Sequence, residues 1–254
     1  MKKLYYYVAL SDKDYAFFRL GGPGLANCMF FVARAAILAK QNRGVLLRPT
    51  WERFGIGPLI RREKDARFYC GLFKREGVWS ALKRLFLIRF ARRVSEHSEN
   101  VPPCGLVVVS GWVGFNKKLV QYYEDVKRYF DAVINPKAIA NVPSSLDGVV
   151  AVHVRLGDFP VEWRTDIHWY AEKMLQVSEA SSKKLSFQIF SDGRDEELSE
   201  ILAVPGASRA FYGNALADMM AISRCQVLIG SGSTFSWWGG IFRSGALHIL
   251  EGIQ

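Results

Sequence analysis

Apolar positions along this chain alternate between short strand-like runs and longer stretches at helical spacing. Leu4 to Leu10 and Tyr15 to Leu20 are aromatic and aliphatic runs separated by the charged turn Ser11-Asp12-Lys13-Asp14, and they predict two strands. The glycine turn Gly21-Gly22-Pro23-Gly24 follows. From Leu25 to about Gln41, the residues Met29, Phe30, Val32, Ala33, Ala36, Ile37 and Leu38 recur with the helical period, and Gly44 is a stop signal. Strand, glycine turn and helix in succession is how a nucleotide-type α/β unit opens. Val45 to Leu47 returns to the sheet, Arg61 to Arg93 predicts one or two amphipathic helices, and Leu106 to Val109 is a β-branched strand after the Pro102-Pro103 break. Gly111 to Gly114 reads as a loop and Lys117 to Phe130 as a helix.

The second half alternates more cleanly. Val149 to Leu156, Phe187 to Phe190, Arg209 to Tyr212, Val227 to Ile229 and Ala246 to Leu250 predict strands. Between them Ile167 to Ala180, Asp195 to Leu202, Asn214 to Ser223 and Thr234 to Phe242 predict helices. Repeated βα units imply a parallel sheet covered on both faces. Asn135-Pro136 and Val142-Pro143-Ser144-Ser145 are the linker candidates, which suggests α/β domains over residues 1–135 and 136–254.

Composition narrows the class. A chain of 254 residues that is 50% hydrophobic buries ample core and is neither disordered nor low-complexity. The formal charge of +10 is concentrated: residues 61–93 hold eleven basic and three acidic side chains, so the rest is nearly neutral. A nucleic-acid module is therefore disfavoured, and the basic segment reads either as a solvated helical face or as a contact with an anionic membrane surface. The four cysteines lack metal-ligand spacing, which favours a reducing compartment. The apolar run after Met1-Lys2-Lys3 is too short for a signal peptide, so a cytoplasmic location is expected.

Candidate chemistry sits at strand ends. The strand from Val149 runs into His153-Val154-Arg155-Leu156-Gly157-Asp158, and alternation places His153 and Arg155 on one side. Arg155 offers a planar charged fork suited to phosphate, and His153 can donate or accept. The structural alternative is a histidine bonded to backbone and an arginine paired with Asp158. Gln226 to Gly230 empties into Ser231-Gly232-Ser233-Thr234-Phe235-Ser236-Trp237-Trp238-Gly239-Gly240, a helix start whose N–H groups and dipole suit an anion, or else an ordinary N-cap. Together the two ends would hold a pyrophosphate. Asp192 and Asp218 are either turn and helix-terminus carboxylates or acceptors for a guanine edge. No paired aspartates lie near these strands to hold a divalent metal, which argues for metal-independent transfer.

These motifs resemble glycosyltransferase family 11, the α-1,2-fucosyltransferases. Gly24-Leu25-Ala26-Asn27-Cys28-Met29-Phe30, Ser110-Gly111-Trp112-Val113-Gly114-Phe115, His153-Val154-Arg155-Leu156-Gly157-Asp158, Phe190-Ser191-Asp192 and Ser233-Thr234-Phe235-Ser236-Trp237-Trp238-Gly239 are similar to that family's segments and keep its order. The resemblance implies a GT-B fold of two Rossmann-like domains facing a cleft, GDP-fucose as donor, inversion at the anomeric carbon and no metal. It implies that Arg155 binds the β-phosphate and that His153 approaches the diphosphate or fucose. Ser233, Thr234, Phe235 and Ser236 would then lie on the donor side with Asp192, and Asp218 would face guanine. Gly24 and Asn27 would approach the sugar or acceptor from the N-terminal domain. His153 and Asp158 are the candidate bases. Leu156, Ala26 and Cys28 depart from the family pattern. The expected acceptor is a galactoside in a glycan or glycolipid, with another GDP-hexose donor or a non-catalytic GDP-sugar-binding protein as alternatives.

Overall fold

The computed structural model describes residues 3–60, 65–98, 104–111, 119, 121–157, 159–243 and 249–251. The chain divides into two compact units, Met1–Arg61 with Ala66–Ala138, and Arg62–Asp65 with Ile139–Gln254.

In the first unit the chain order is β1 (Leu4–Val8), β2 (Lys13–Asp14), β3 (Arg19–Leu20), α1 (Leu25–Gln41), β4 (Val45–Leu46), β5 (Arg53–Phe54), α2 (Gly57–Ile60), α3 (Val78–Phe90), β6 (Arg93–Ser95), β7 (Gly105–Val109) and α4 (Tyr123–Val133). A parallel sheet runs in the order β4-β1-β7-β6. Tyr5 and Tyr7 pack with Leu106 and Val108 beneath Leu87 and Ile88 of α3 and Ala91 just after it. The alternate residues Tyr6 and Val8 are buried on the opposite face.

One expectation changes in this unit. Tyr15 to Leu20 is not one strand: only Arg19–Leu20 pairs, because the Asp14 carboxylate accepts the Ala16 N–H at 2.7 Å and Ala16 turns left-handed at φ 66°. Among the described residues the basic stretch forms one helix, Val78–Phe90, within the one or two expected. Arg67 and Tyr69 have φ of 56° and 58°, which no helix accommodates, and the Tyr69 hydroxyl instead accepts the Leu25 N–H at 3.0 Å, satisfying a donor at the start of α1. The helix expected from Lys117 is described over Tyr123–Val133, and Lys117, Lys118 and Val120 lie outside the described residues. The loop expected at Gly111 to Gly114 and the motif through Phe115 lie largely outside the described residues.

The second unit comprises β8 (Leu146–Val154), α5 (Ile167–Glu179), β9 (Ser186–Ser191), α6 (Ser199–Leu202), β10 (Ala207–Arg209), α7 (Ala215–Arg224), β11 (Cys225–Gly230), α8 (Thr234–Phe242) and β12 (Ile249–Glu251). All five strands are parallel, in the order β10-β9-β8-β11-β12. Both faces are covered, and the strand period shows how: Val150, Val152 and Val154 join one apolar cluster with Tyr170 and Met174 of α5, whereas Ala151 joins another with Ala217 and Ile222 of α7. The strand expected at Arg209 to Tyr212 is displaced to Ala207–Arg209, since the Tyr212 N–H leaves the ladder for the Asp218 carboxylate at 2.7 Å. The helix expected from Asp195 is reduced to Ser199–Leu202.

Candidate active site

From β8 the chain adds β9 and β10 on one side, then crosses over to lay down β11 and β12 on the other. The boundary between β8 and β11 is thus a topological switch point, and ligands of open α/β sheets bind at the carboxyl ends of such strands. His153 lies there, in register with Phe190 of β9 and Gly230 of β11.

Helix α8 starts against this histidine. Ser233 caps it, with its Oγ accepting the Ser236 N–H at 3.2 Å. Nδ1 of His153 is 2.7 Å from Ser236 Oγ and 3.3 Å from Ser233 Oγ, and the two hydroxyls are 3.1 Å apart. The Phe235 ring stacks on the imidazole, with centroids 4.9 Å apart and planes 20° from parallel. Gly230 permits the approach, since a Cβ there would lie 2.8 Å from Ser236 Oγ and 3.1 Å from its Cβ. Burial pushes the His153 pKa down to about 4, with Asp192 opposing the shift and Arg155 adding to it. The ring is therefore neutral near pH 7, with one nitrogen donating and the other accepting.

Arg155 follows the end of β8. Its Nη1 pairs with Asp192 Oδ2, and the other Asp192 oxygen accepts the Leu156 N–H at 2.9 Å. One partner of the arginine is thus a carboxylate from the neighbouring strand end; Asp158, the alternative partner and a candidate base, lies outside the described residues. Gly157 makes room for this carboxylate, because a Cβ at 157 would collide with Asp192. Arg209 secures the same loop, donating to the carbonyls of Ser191 and Gly193 at 3.0 Å each. Leu156, where the family pattern has a second arginine, is buried in the apolar cluster of α5 and fills the space a Cβ on Gly193 would need.

Asp218 stands on the first turn of α7 and holds the Tyr212 N–H. Tyr212 stacks on Phe190 with centroids 6.3 Å apart, and its hydroxyl donates to Gln188 Oε1 at 3.0 Å. The start of α7 is doubly capped: Asn214 Oδ1 accepts from Ala217 N–H at 2.9 Å, and Asp65 Oδ2 accepts from Ala215 N–H at 3.0 Å. Thr234 is the first residue of α8, partly buried.

Gly24 and Asn27 belong to the first unit, Gly24 as the residue before α1 and Asn27 in its first turn. The glycine turn is braced by Arg19, fully buried, which donates to the carbonyls of Thr50 at 3.1 Å and of Gly21, and to Cys28 Sγ at 3.2 Å. The departure at Cys28 thus has a structural use, and burial pushes its thiol up to about 11.

The structure therefore gathers His153, Ser233 and Ser236 in one hydrogen-bonded group with Phe235 stacked on it, and Arg155 with Asp192 beside it. Pattern reading missed Arg209, Arg19 and Tyr69. For Arg209 the available signal was a basic residue at the end of a strand; Tyr69 meets Leu25, 44 positions away, and Arg19 joins the nearby Gly21 to Thr50, 31 positions away, so no local pattern gives either role.

A parallel sheet with helices on both faces, and with a buried histidine, a capped helix start and an arginine at its switch point, defines an open, doubly wound α/β protein. No family model and no curated sequence matches the chain. Solved fucosyltransferases share its fold. The fucosyltransferase NodZ from Bradyrhizobium superposes with a TM-score of 0.59 at 12% identity, over 94% of this chain and 93% of that one. NodZ α-1,6-fucosyltransferase soaked with GDP-fucose gives 0.55 at 11% identity, over 95% and 93%. A mutant of Arabidopsis thaliana FUT1 in complex with GDP gives 0.53 at 12%, over 98% and 70%. At these identities the likeness is one of fold.

Proposed function

We propose that this protein is a GT-B-type, inverting fucosyltransferase that moves L-fucose from GDP-fucose to a hydroxyl of a galactoside, in α-1,2 linkage and without a metal. The observation that carries the reading is the meeting of His153, Ser233 and Ser236 at the start of α8, with Arg155 beside them, at the switch point of a sheet. The fold shared with NodZ soaked with GDP-fucose supports the donor class.

In this reading residues 136–254 bind the donor, and residues 1–135 serve the acceptor through Gly24 and Asn27. The acceptor oxygen attacks the anomeric carbon, the bond from that carbon to the β-phosphate oxygen breaks, and GDP leaves with its electron pair. The β-phosphate accepts from the Arg155 guanidinium, which Asp192 holds in position, while the N–H groups and dipole at the start of α8 face the developing negative charge. Thr234, Phe235 and Ser236 lie along the donor, and Asp218 faces guanine. Neutral His153 holds the helix start in place and donates or accepts at the diphosphate. The acceptor proton passes to a base, for which His153 and Asp158 are the candidates. The acceptor is a glycan or glycolipid of a surface polysaccharide, handled in the cytoplasm beside an anionic membrane.

Incubation with GDP-fucose and a panel of β-galactosides in EDTA, followed by linkage analysis, tests donor, acceptor and metal independence together. Fucosylated product in α-1,2 linkage is expected. Transfer only from another GDP-hexose, or tight GDP-fucose binding without turnover on any acceptor, would replace this reading with the corresponding alternative.

A further inference from the structure

Helix α3 carries an apolar stripe that faces solvent. By the helical period Ala81, Arg84, Leu87, Ile88 and Ala91 share one side. Ala81 and Arg84 are buried, and the other three pack on the parallel sheet beside Tyr5 and Tyr7. The opposite side presents Trp79, Leu82, Phe86 and Phe90, which are 84%, 41%, 62% and 71% exposed, and the Phe86 and Phe90 rings lie 5.1 Å apart. A helix on the surface of a soluble domain places charged and polar residues there.

The charge around the stripe is of one sign. Lys83 and Arg89 border it on either side, and Lys74, Arg75, Arg92 and Arg93 are exposed at the two ends of the helix. Glu76, the only acid from Lys74 to Arg93, is drawn inward to the buried Arg84 guanidinium at 2.8 Å. A second copy meeting this face through the same face would oppose like charges, which disfavours a symmetric dimer. Among the described residues no helix is long and apolar enough to cross a membrane. An aromatic stripe with basic flanks on a short helix suits the plane of an anionic bilayer, where rings enter the headgroup boundary and cations meet lipid phosphate.

We propose that α3 docks the protein on an anionic membrane, with Trp79, Phe86 and Phe90 inserted and Lys83 and Arg89 against the headgroups. This deepens the membrane part of the proposed function and rests on that part alone. Vesicle binding without donor or acceptor therefore tests it separately from fucosyl transfer.

The test is sedimentation of the full chain with phosphatidylcholine vesicles that either contain or lack phosphatidylglycerol. Binding to the anionic vesicles alone is expected, weakening as salt rises. The triple variant Trp79→Ser, Phe86→Ser, Phe90→Ser should lose binding by about tenfold or more, and Lys83→Glu with Arg89→Glu should do likewise, both with unchanged far-UV circular dichroism. Equal binding to neutral vesicles, no binding to either kind, or full binding by the triple variant would overturn the proposal. So would a concentration-dependent dimer in lipid-free buffer that the triple variant abolishes, since the stripe would then be a contact between copies.

Discussion

Nδ1 of His153 lies 2.7 Å from Oγ of Ser236, a contact that spans 83 positions of chain and ties the end of β8 to the first turn of α8. It sets the direction in which the start of the helix points, and the ring orientation sets which nitrogen faces away. Ser236→Ala removes the closer partner of a buried ring. The expected cost is about 1–3 kcal/mol of stability, read as a lower urea midpoint, together with weaker GDP binding by calorimetry. An unchanged midpoint and affinity would show that Ser233 alone suffices.

The same burial makes the fold sensitive to acid. His153 stays neutral down to about pH 4, whereas a histidine in the unfolded chain takes up its proton near 6.5. Between these values the unfolded state binds more protons, so stability rises with pH through the window and is lost as pH falls from 6.5 toward 4. Melting curves across that range should drop more steeply for the native chain than for His153→Gln. Parallel slopes would remove His153 as the cause.

Arg155 and Asp192 form the second coupled pair. Arg155→Ala should abolish fucosyl transfer while the circular dichroism spectrum is retained, and Arg155→Lys should recover little, because lysine lacks the planar fork. Transfer at the native rate by either variant would contradict the assignment.

Gly157→Ala tests the space that Asp192 occupies. The added Cβ meets the carboxylate, so the aspartate must shift and release both the guanidinium and the Leu156 N–H. Weaker donor binding with only a modest change in melting temperature is expected; native affinity would show that the carboxylate need not stay in place.

Arg19→Met tests the brace of the glycine turn. It leaves the carbonyls of Thr50 and Gly21 without their buried donor, at an expected cost of about 3 kcal/mol. Denaturant titration reads this loss, and a cost below about 1 kcal/mol would mean that the turn holds itself.

Much of the scaffold is legible in the residues. The period of α1, the β-branched run of β8 and the Ser233 cap of α8 each report a local preference that packing reinforces. Tyr15 to Leu20 misled because its apolar composition is strand-like, while Asp14 diverts the backbone into a turn. Asp192 as a partner of Arg155 was not legible, because it arrives from the adjacent strand rather than from nearby sequence.

By itself the sequence determined the parallel α/β class, the strand ends that bear His153 and Arg155, and the capped start of α8, since each follows from periodicity or from a residue's own backbone preference. Only the tertiary structure decided which groups meet. Strand order brings β11 beside β8 and so Ser236 to His153, and no local pattern encodes that neighbour. It also decided the facing of α3. Both sides of that helix carry apolar residues, and docking of Leu87 and Ile88 on the sheet, with Arg84 anchored to Glu76, turns Trp79, Phe86 and Phe90 outward.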